Sequence, residues 1–292
     1  RHYFNIASKI RRFNPELIFG VGSYAAHAGL VSQSSVVTIT DSEPTDLDHR
    51  LTRPFANAIL TPASFRKDLG RKHLKFNGLK ESAYLHPDVY EPVPGIYEEL
   101  GLDPAEPYVV VRLNAWGSSH DVAEGGFSGE QRRELVSTLS ERATVLVSDE
   151  GGTVDEADLP ARSFSVHPAL FHEALRNAEL VVADTQTAVA EAALLGTPVI
   201  RSNSWVGEND MGNFVDLEDA GLVENIREFD AVLDRAKALL DGDAKSKWGK
   251  RSEAYMSNLV NLTDLITTVA TDTSFLSDPT PERISRFDGT HN

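Results

Sequence analysis

The run Asp184-Thr185-Gln186-Thr187, with Glu191 shortly after it, is the part of this sequence best suited to holding a phosphate. It follows the apolar segment Leu180-Val181-Val182-Ala183 and opens a stretch in which Ala188, Val189, Ala192, Ala193 and Leu195 recur at helical spacing. A helix N-terminus carries unbonded N–H groups and the positive end of the helix dipole, so it attracts anions. The Thr185 and Thr187 hydroxyls would add donors, with Gln186 between them in the same turn. The Glu191 carboxylate would accept from ribose hydroxyls. A plainer role also fits, with Asp184 or Thr185 capping the helix and Glu191 on a solvated face.

Other chemistry-bearing residues stand at the ends of other apolar runs. Arg112 closes the run that begins at Tyr108, where a guanidinium can fork onto a diphosphate or pair with a carboxylate such as Asp184. Trp116, His120 and Asp121 follow in the next loop, and His120 is a candidate acid or base. One His and one Asp without a spaced third ligand make a poor metal site. Earlier in the chain, Asp41-Ser42-Glu43 and His49-Arg50 form a polar cluster after Val36-Val37-Thr38-Ile39-Thr40. With His27, these residues could bring a carboxylate and an imidazole together, and Glu43 is the acid/base candidate. Gly20-Val21-Gly22-Ser23-Tyr24-Ala25, with Asp41 ending the next strand, is a degenerate dinucleotide-binding pattern. It predicts a nicotinamide cofactor on Gly20, Gly22 and Asp41, or else an ordinary tight strand-to-helix turn.

Elements that position such residues alternate along the chain. In a first block, Leu17-Ile18-Phe19, Val36 to Thr40, Ala58-Ile59-Leu60 and Leu74-Lys75-Phe76 read as strands. Helices are expected at Arg1 to Phe13, Tyr24 to Val31, and Asp46 to Phe55 behind a Thr45 cap. A proline-rich stretch from Pro87 to Pro107 reads as an interdomain connection. In a second block, strands are expected at Tyr108 to Val111, Thr144 to Val147, Ser163 to Val166, Leu180 to Ala183 and Pro198 to Ile200. The first of these is continuously apolar, as a strand covered on both faces must be. Ser128-Gly129-Glu130-Gln131 fits a capping box before a helix with Leu135, Val136 and Leu139 inward. Gly196 ends the helix that Thr187 opens. Regular alternation of this kind gives right-handed βαβ units and parallel sheets, with ligands at the carboxyl ends of the strands.

Bulk properties restrict the partners. The 292 residues suit two domains, and 41% hydrophobic content is ordinary for globular proteins. No apolar run is long enough to span a bilayer. Cysteine is absent, which removes disulfides, thiolate metal sites and cysteine nucleophiles and fits a cytoplasmic setting. The net charge of −16 argues against nucleic acid. Only 9 of the 28 basic residues are lysine, a composition of salt-adapted or simply acidic proteins.

Three stretches together resemble a known group. They are Asn77-Gly78-Leu79-Lys80-Glu81-Ser82-Ala83-Tyr84-Leu85-His86-Pro87; Val111-Arg112 with Trp116, Ser119-His120-Asp121 and Gly126-Phe127-Ser128; and Asp184 to Thr187 with Glu191-Ala192-Ala193, Leu195-Gly196-Thr197-Pro198 and Arg201-Ser202-Asn203-Ser204. They are similar to a largely archaeal, uncharacterised family with a glycosyltransferase-B-like fold, itself similar to UDP-N-acetylglucosamine 2-epimerases and nucleotide-sugar glycosyltransferases. The resemblance implies an α/β protein of two facing Rossmann-like domains, GT-B-type, with parallel sheets and the first domain incomplete at its start. It implies a partial N-terminal domain over 1–90 on the acceptor side and a nucleotide-binding domain over 105–242. A helix over 243–276 would cross back, and a flexible tail would cover 277–292. It implies that the counterparts of Thr185 to Thr187 meet the diphosphate and that of Glu191 the ribose. The epimerases carry a His-Arg pair where this chain has Val111-Arg112, so the Arg is kept and the His is not. Glu43 lies close to where they carry a catalytic Glu, and their second acidic residue has no counterpart. The expected ligand is a UDP-sugar-type small molecule with no further cofactor, because Arg112 and a helix dipole can neutralise a diphosphate. The expected activity is of glycosyltransferase or epimerase type, with a non-catalytic binding or regulatory protein and a nicotinamide-dependent oxidoreductase as the alternatives.

Overall fold

The computed structural model of the chain describes residues 2–114, 125–150, 159–207, 210–272, 274 and 284–286. Two compact units are present. One comprises Arg1–Val89, Met211–Asn213 and Asn258–Asn292, the other Tyr90–Asp210 and Phe214–Ser257.

The first unit begins with α1 (His2–Phe13), β1 (Leu17–Val21), α2 (Gly22–Ala28), β2 (Ser35–Ile39), α3 (Asp46–Thr52), β3 (Ala58–Pro62), β4 (His73–Phe76) and α4 (Ser82–Leu85). The strands β1 to β4 are parallel and adjacent in chain order. Alternation along them fills both faces of the sheet, as the period of a strand requires. Val37, Leu60, Leu74 and Phe76 share one cluster, whereas Val36 packs with Ile18 and the α2 alanines, and Ile59 with Phe65. Thr45 does not cap α3 through its side chain; its hydroxyl donates to the Ser42 carbonyl instead.

The second unit contains α5 (Ile96–Leu100), β5 (Tyr108–Leu113), α6 (Gly129–Ser140), β6 (Thr144–Asp149), β7 (Arg162–Ser163), α7 (Phe171–Asn177), β8 (Leu180–Ala183), α8 (Thr187–Leu194) and β9 (Val199–Arg201). It continues through α9 (Gly212–Asp219), whose first two residues belong to the first unit, and then β10 (Glu224–Asn225), α10 (Phe229–Leu240) and α11 (Ala244–Met256). Its six strands run parallel in the order β10-β9-β8-β5-β6-β7. The order reverses between β5 and β8, which is the topological switch point of a doubly wound sheet. Right-handed crossovers put α6 and α10 on one face and α7, α8 and α11 on the other. The capping box forms as the sequence predicts: the Ser128 hydroxyl accepts from Gln131 N, and Gln131 accepts from Ser128 N. Gly196 takes φ +75 after α8, and a side chain there would meet the Gly249 backbone at 2.9 Å, so only glycine lets α8 and α11 approach.

The proline-rich stretch is more than a connection, because it holds α5 and belongs to the second unit from Tyr90 onward. The long helix expected over 243–276 is two helices. Asn261 starts the second, α12 (Leu262–Thr271), by accepting from Asp264 N. Leu262, Leu265 and Val269 of α12 pack into the cluster of Val37 and Leu60 in the first unit. The tail expected to be loose contributes β11 (Ile284–Arg286), antiparallel to β4, with Ile284 buried in the same cluster. No helix among the described residues is long and apolar enough to cross a membrane.

Candidate functional site

Asp184 is fully buried at the carboxyl end of β8 and organises the switch point. Its Oδ1 accepts from Asn114 N at 2.7 Å, while its carbonyl accepts from Asn203 Nδ2 at 3.0 Å. Its Oδ2 lies 3.8 Å from the Arg132 guanidinium, which also reaches Asp149 at 3.5 Å and donates to the Phe127 carbonyl. Asp184 thereby ties the ends of β5, β8 and β9, and the buried Arg132 joins it to Asp149 at the end of β6. Arg132 occupies the inner face of α6 with Leu135, Val136 and Leu139, so an arginine at core spacing was its signal in the sequence. Sequence reasoning missed it.

Because Asp184 is engaged by the β5 and β6 side, it does not cap α8. Gln186 holds the N-cap position without a side-chain hydrogen bond. Thr185 does not cap the helix either: its Oγ1 is buried and makes no hydrogen bond among the described residues. Thr187, the first residue of α8, is exposed. An uncapped helix N-terminus beside a buried hydroxyl with no partner among the described residues offers the donors an anion would require.

Glu191 is buried rather than on a solvated face. His172 of α7 lies 3.1 Å from its Oε1. The His172 ring packs edge-on against Phe171 and Tyr90. Nothing in the sequence linked His172 to Glu191, because the pairing depends on α7 lying against α8. Arg112 is held otherwise than expected. Its guanidinium donates to the Ser148 hydroxyl and pairs with Glu150, not with Asp184. His120, with Trp116 and Asp121, lies outside the described residues.

Arg201 at the end of β9 is fully buried and holds Asp210 bidentately, at 2.6 and 3.0 Å. It also donates to Asn225 and lies 3.8 Å over the Phe214 ring. These contacts fix both ends of the loop that carries Ser202, Asn203 and Ser204.

The first unit gathers its predicted residues differently. Glu43 accepts from Arg66 N at 3.1 Å and from Gly212 N at 3.1 and 3.3 Å. Burial raises its pKa, and those main-chain donors pull it partly back. Among the described residues no histidine joins it. His49 bonds Thr45 and packs on Phe65, and His27 reaches the Leu51 carbonyl, so the expected carboxylate–imidazole pair does not form. Asp41 pairs with Lys80 at 2.5 Å, and Lys80 also reaches buried Glu81 at 3.0 Å. Burial drives the Glu81 pKa up, with Lys80 opposing.

The glycine pattern at β1 does form a strand-to-helix turn. Gly22 takes φ +59, and a side chain there would collide with the Asp48 carboxylate at 2.4 Å. Asp48 accepts from both Ser23 N and Ser23 Oγ, at 3.0 and 2.6 Å. The spot where a dinucleotide pyrophosphate would lie is filled by the protein's own carboxylate.

No family model and no curated protein matches this sequence. Solved structures do. The S. aureus MnaA–UDP structure matches with TM-score 0.67 at 12% identity, covering 98% of this chain and 82% of that one. The UDP-GlcNAc 2-epimerase from Neisseria meningitidis bound to UDP-GlcNAc matches with TM-score 0.59 at 12% identity, covering 93% and 81%. The spinosyn forosaminyltransferase SpnP matches with TM-score 0.61 at 13% identity, covering 94% and 80%. By fold, then, this chain is an α/β protein with two Rossmann-like parallel sheets of the GT-B type, as these epimerases and glycosyltransferases are.

Proposed function

We propose that the chain is a nucleotide-sugar-dependent enzyme of glycosyltransferase or 2-epimerase type, with the donor diphosphate held by the second unit. The observation that carries this is the buried Thr185 hydroxyl, without a hydrogen-bond partner among the described residues, beside the uncapped start of α8 at the switch point. Thr185, Gln186 and Thr187 would donate to the diphosphate, and the dipole of α8 would favour its charge. Glu191 would accept from the ribose hydroxyls, with His172 fixing its orientation. Arg112 would add positive charge by turning from Glu150, whose carboxylate is partly exposed. Two of the structural neighbours are bound to UDP or UDP-GlcNAc, which supports a ligand of that kind. Glu43 is the candidate acid or base, with a pKa that burial raises above the ordinary carboxylate value.

A second reading is a non-catalytic nucleotide-sugar-binding or regulatory protein. It draws on Glu43, whose oxygens are taken up by main-chain donors. The nicotinamide reading loses its support where Asp48 fills the β1–α2 turn.

Calorimetric titration with UDP, UDP-N-acetylglucosamine, GDP, CDP and NAD tests the assignment. Thr185→Val and Glu191→Gln should each weaken a bound nucleoside diphosphate by about 10- to 100-fold, the worth of a hydrogen bond to a charged group. Binding of NAD alone, undiminished in both variants, would reject the proposal. A turnover assay on the same preparation, with Glu43→Gln as the control, separates the enzyme from the silent binder.

A further inference from the structure

A cavity of about 290 Å³ opens beside the switch point, on the face of the second sheet that carries α6 and α10. Asn203 connects it to the phosphate turn, because its amide donates to the Asp184 carbonyl. Phe127 and Phe229 pack edge to face in its wall, with ring centroids 5.9 Å apart. The His172–Glu191 pair belongs to α7 and α8, on the opposite face of the sheet. The cavity and the Glu191 pair thus lie on opposite faces of the sheet, with the Thr185 turn at the strand ends beside them.

The lining has a definite polarity. Gln131 uses its carbonyl oxygen on Ser128 N, which leaves its amide N–H groups to donate. Ser204 accepts from Gly125 N at 2.9 Å, which leaves its hydroxyl proton to donate. Arg227 follows β10 and makes no ion pair among the described residues. Among the described residues the lining contains no Asp or Glu, in a chain whose net charge is −16. Among the described lining residues, donors without a charged acceptor around the Arg227 guanidinium fit an anion and leave a neutral polyol with unmatched donor groups.

We propose that this cavity receives an anionic substituent of the transferred group, so that the ligand is a nucleoside diphosphate sugar bearing a carboxylate, with Arg227 as the residue that selects it. The inference rests on the phosphate site at Thr185. Arg227 is exposed and outside that site, so its replacement leaves the fold and the diphosphate contacts in place.

The test titrates UDP, UDP-glucose and UDP-glucuronate into the chain and its Arg227→Ala variant. UDP-glucuronate should bind at least about tenfold more tightly than UDP-glucose, and Arg227→Ala should abolish that preference while leaving UDP within about twofold. Equal binding of the two sugars to the unaltered chain overturns the proposal. So does an Arg227→Ala variant that loses UDP as strongly as UDP-glucuronate, because Arg227 would then hold the diphosphate. Absence of any response to UDP instead rejects the phosphate site, and this proposal with it.

Discussion

Two strand-to-helix turns in this molecule begin alike and end as opposites. At β1–α2 the helix start is closed by Asp48, a carboxylate from α3 that accepts from Ser23 N and Ser23 Oγ. At β8–α8 the neighbouring carboxylate, Asp184, is drawn away by Asn114 N and Arg132, so among the described residues the helix start keeps its donors and Thr185 keeps an unbonded hydroxyl. In the sequence the glycines offered the first turn only as an alternative ligand site. What decides is where the nearest carboxylate is spent. A turn that meets its own anion has nothing left to offer a ligand, whereas a turn whose acid is committed elsewhere does.

The strongest way to break this contrast is to remove the group that draws Asp184 away. Arg132→Leu should leave Asp184 and Asp149 buried without their shared cation and destabilise the second unit by about 3–5 kcal/mol, read from denaturant unfolding. Full stability in that variant would mean that Arg132 does not hold the turn open.

A smaller effect separates the units by pH. Burial in the first unit lowers the His73 pKa to about 4, where its imidazole bonds Thr61 Oγ1 and accepts from Leu69 N. The unfolded chain protonates this group near 6.5, so between about 6.5 and 4 the unfolded state holds the extra proton. Stability from His73 is therefore present above 6.5 and is lost as pH falls toward 4, by roughly 3 kcal/mol in all. His73→Gln should flatten the acid limb of stability against pH, and an unchanged limb would assign it to other groups. The buried His49, whose pKa burial also lowers, contributes with the same sign.

The smallest effect sharpens the contrast from the other side. Asp48→Ala removes the acceptor at α2 and should lower stability by about 1 kcal/mol, with nucleotide binding at Thr185 unaltered. A gain of NAD binding in that variant would show that Asp48 masks a working dinucleotide site.

Much of the frame was legible in the sequence because it rests on local chemistry. Apolar runs such as Tyr108 to Val111, the capping box at Ser128 and the glycine stop at Gly196 specify strand, start and stop within a few residues. The α9 helix and the two-residue β10 carried too little periodicity to be found. A candidate site was legible only where one turn supplies its residues, as at Thr185 to Thr187. The partners of Glu191, Arg112 and Asp184 are His172, Glu150 and Arg132, which stand 19, 38 and 52 positions away and meet them through the winding of the sheet. Spacing along a chain holds no record of such pairings. For the same reason Glu43 was found as a residue, but its engagement by Arg66 and Gly212 was not.

The edge strand β11 has a consequence for the order of synthesis. Residues 90–257 give the second unit all six of its strands in one nearly continuous passage of chain. The first unit has four strands by residue 76, yet it waits for α12 and Ile284 to cover Leu60, Leu74 and Phe76. On the ribosome, the first unit therefore begins before the second and is completed after it. Until then, one face of its sheet stays apolar and one edge unpaired, the condition under which nascent chains recruit chaperones. Stalled chains ending at residue 257 should accordingly show a protease-resistant second unit and a sensitive first one.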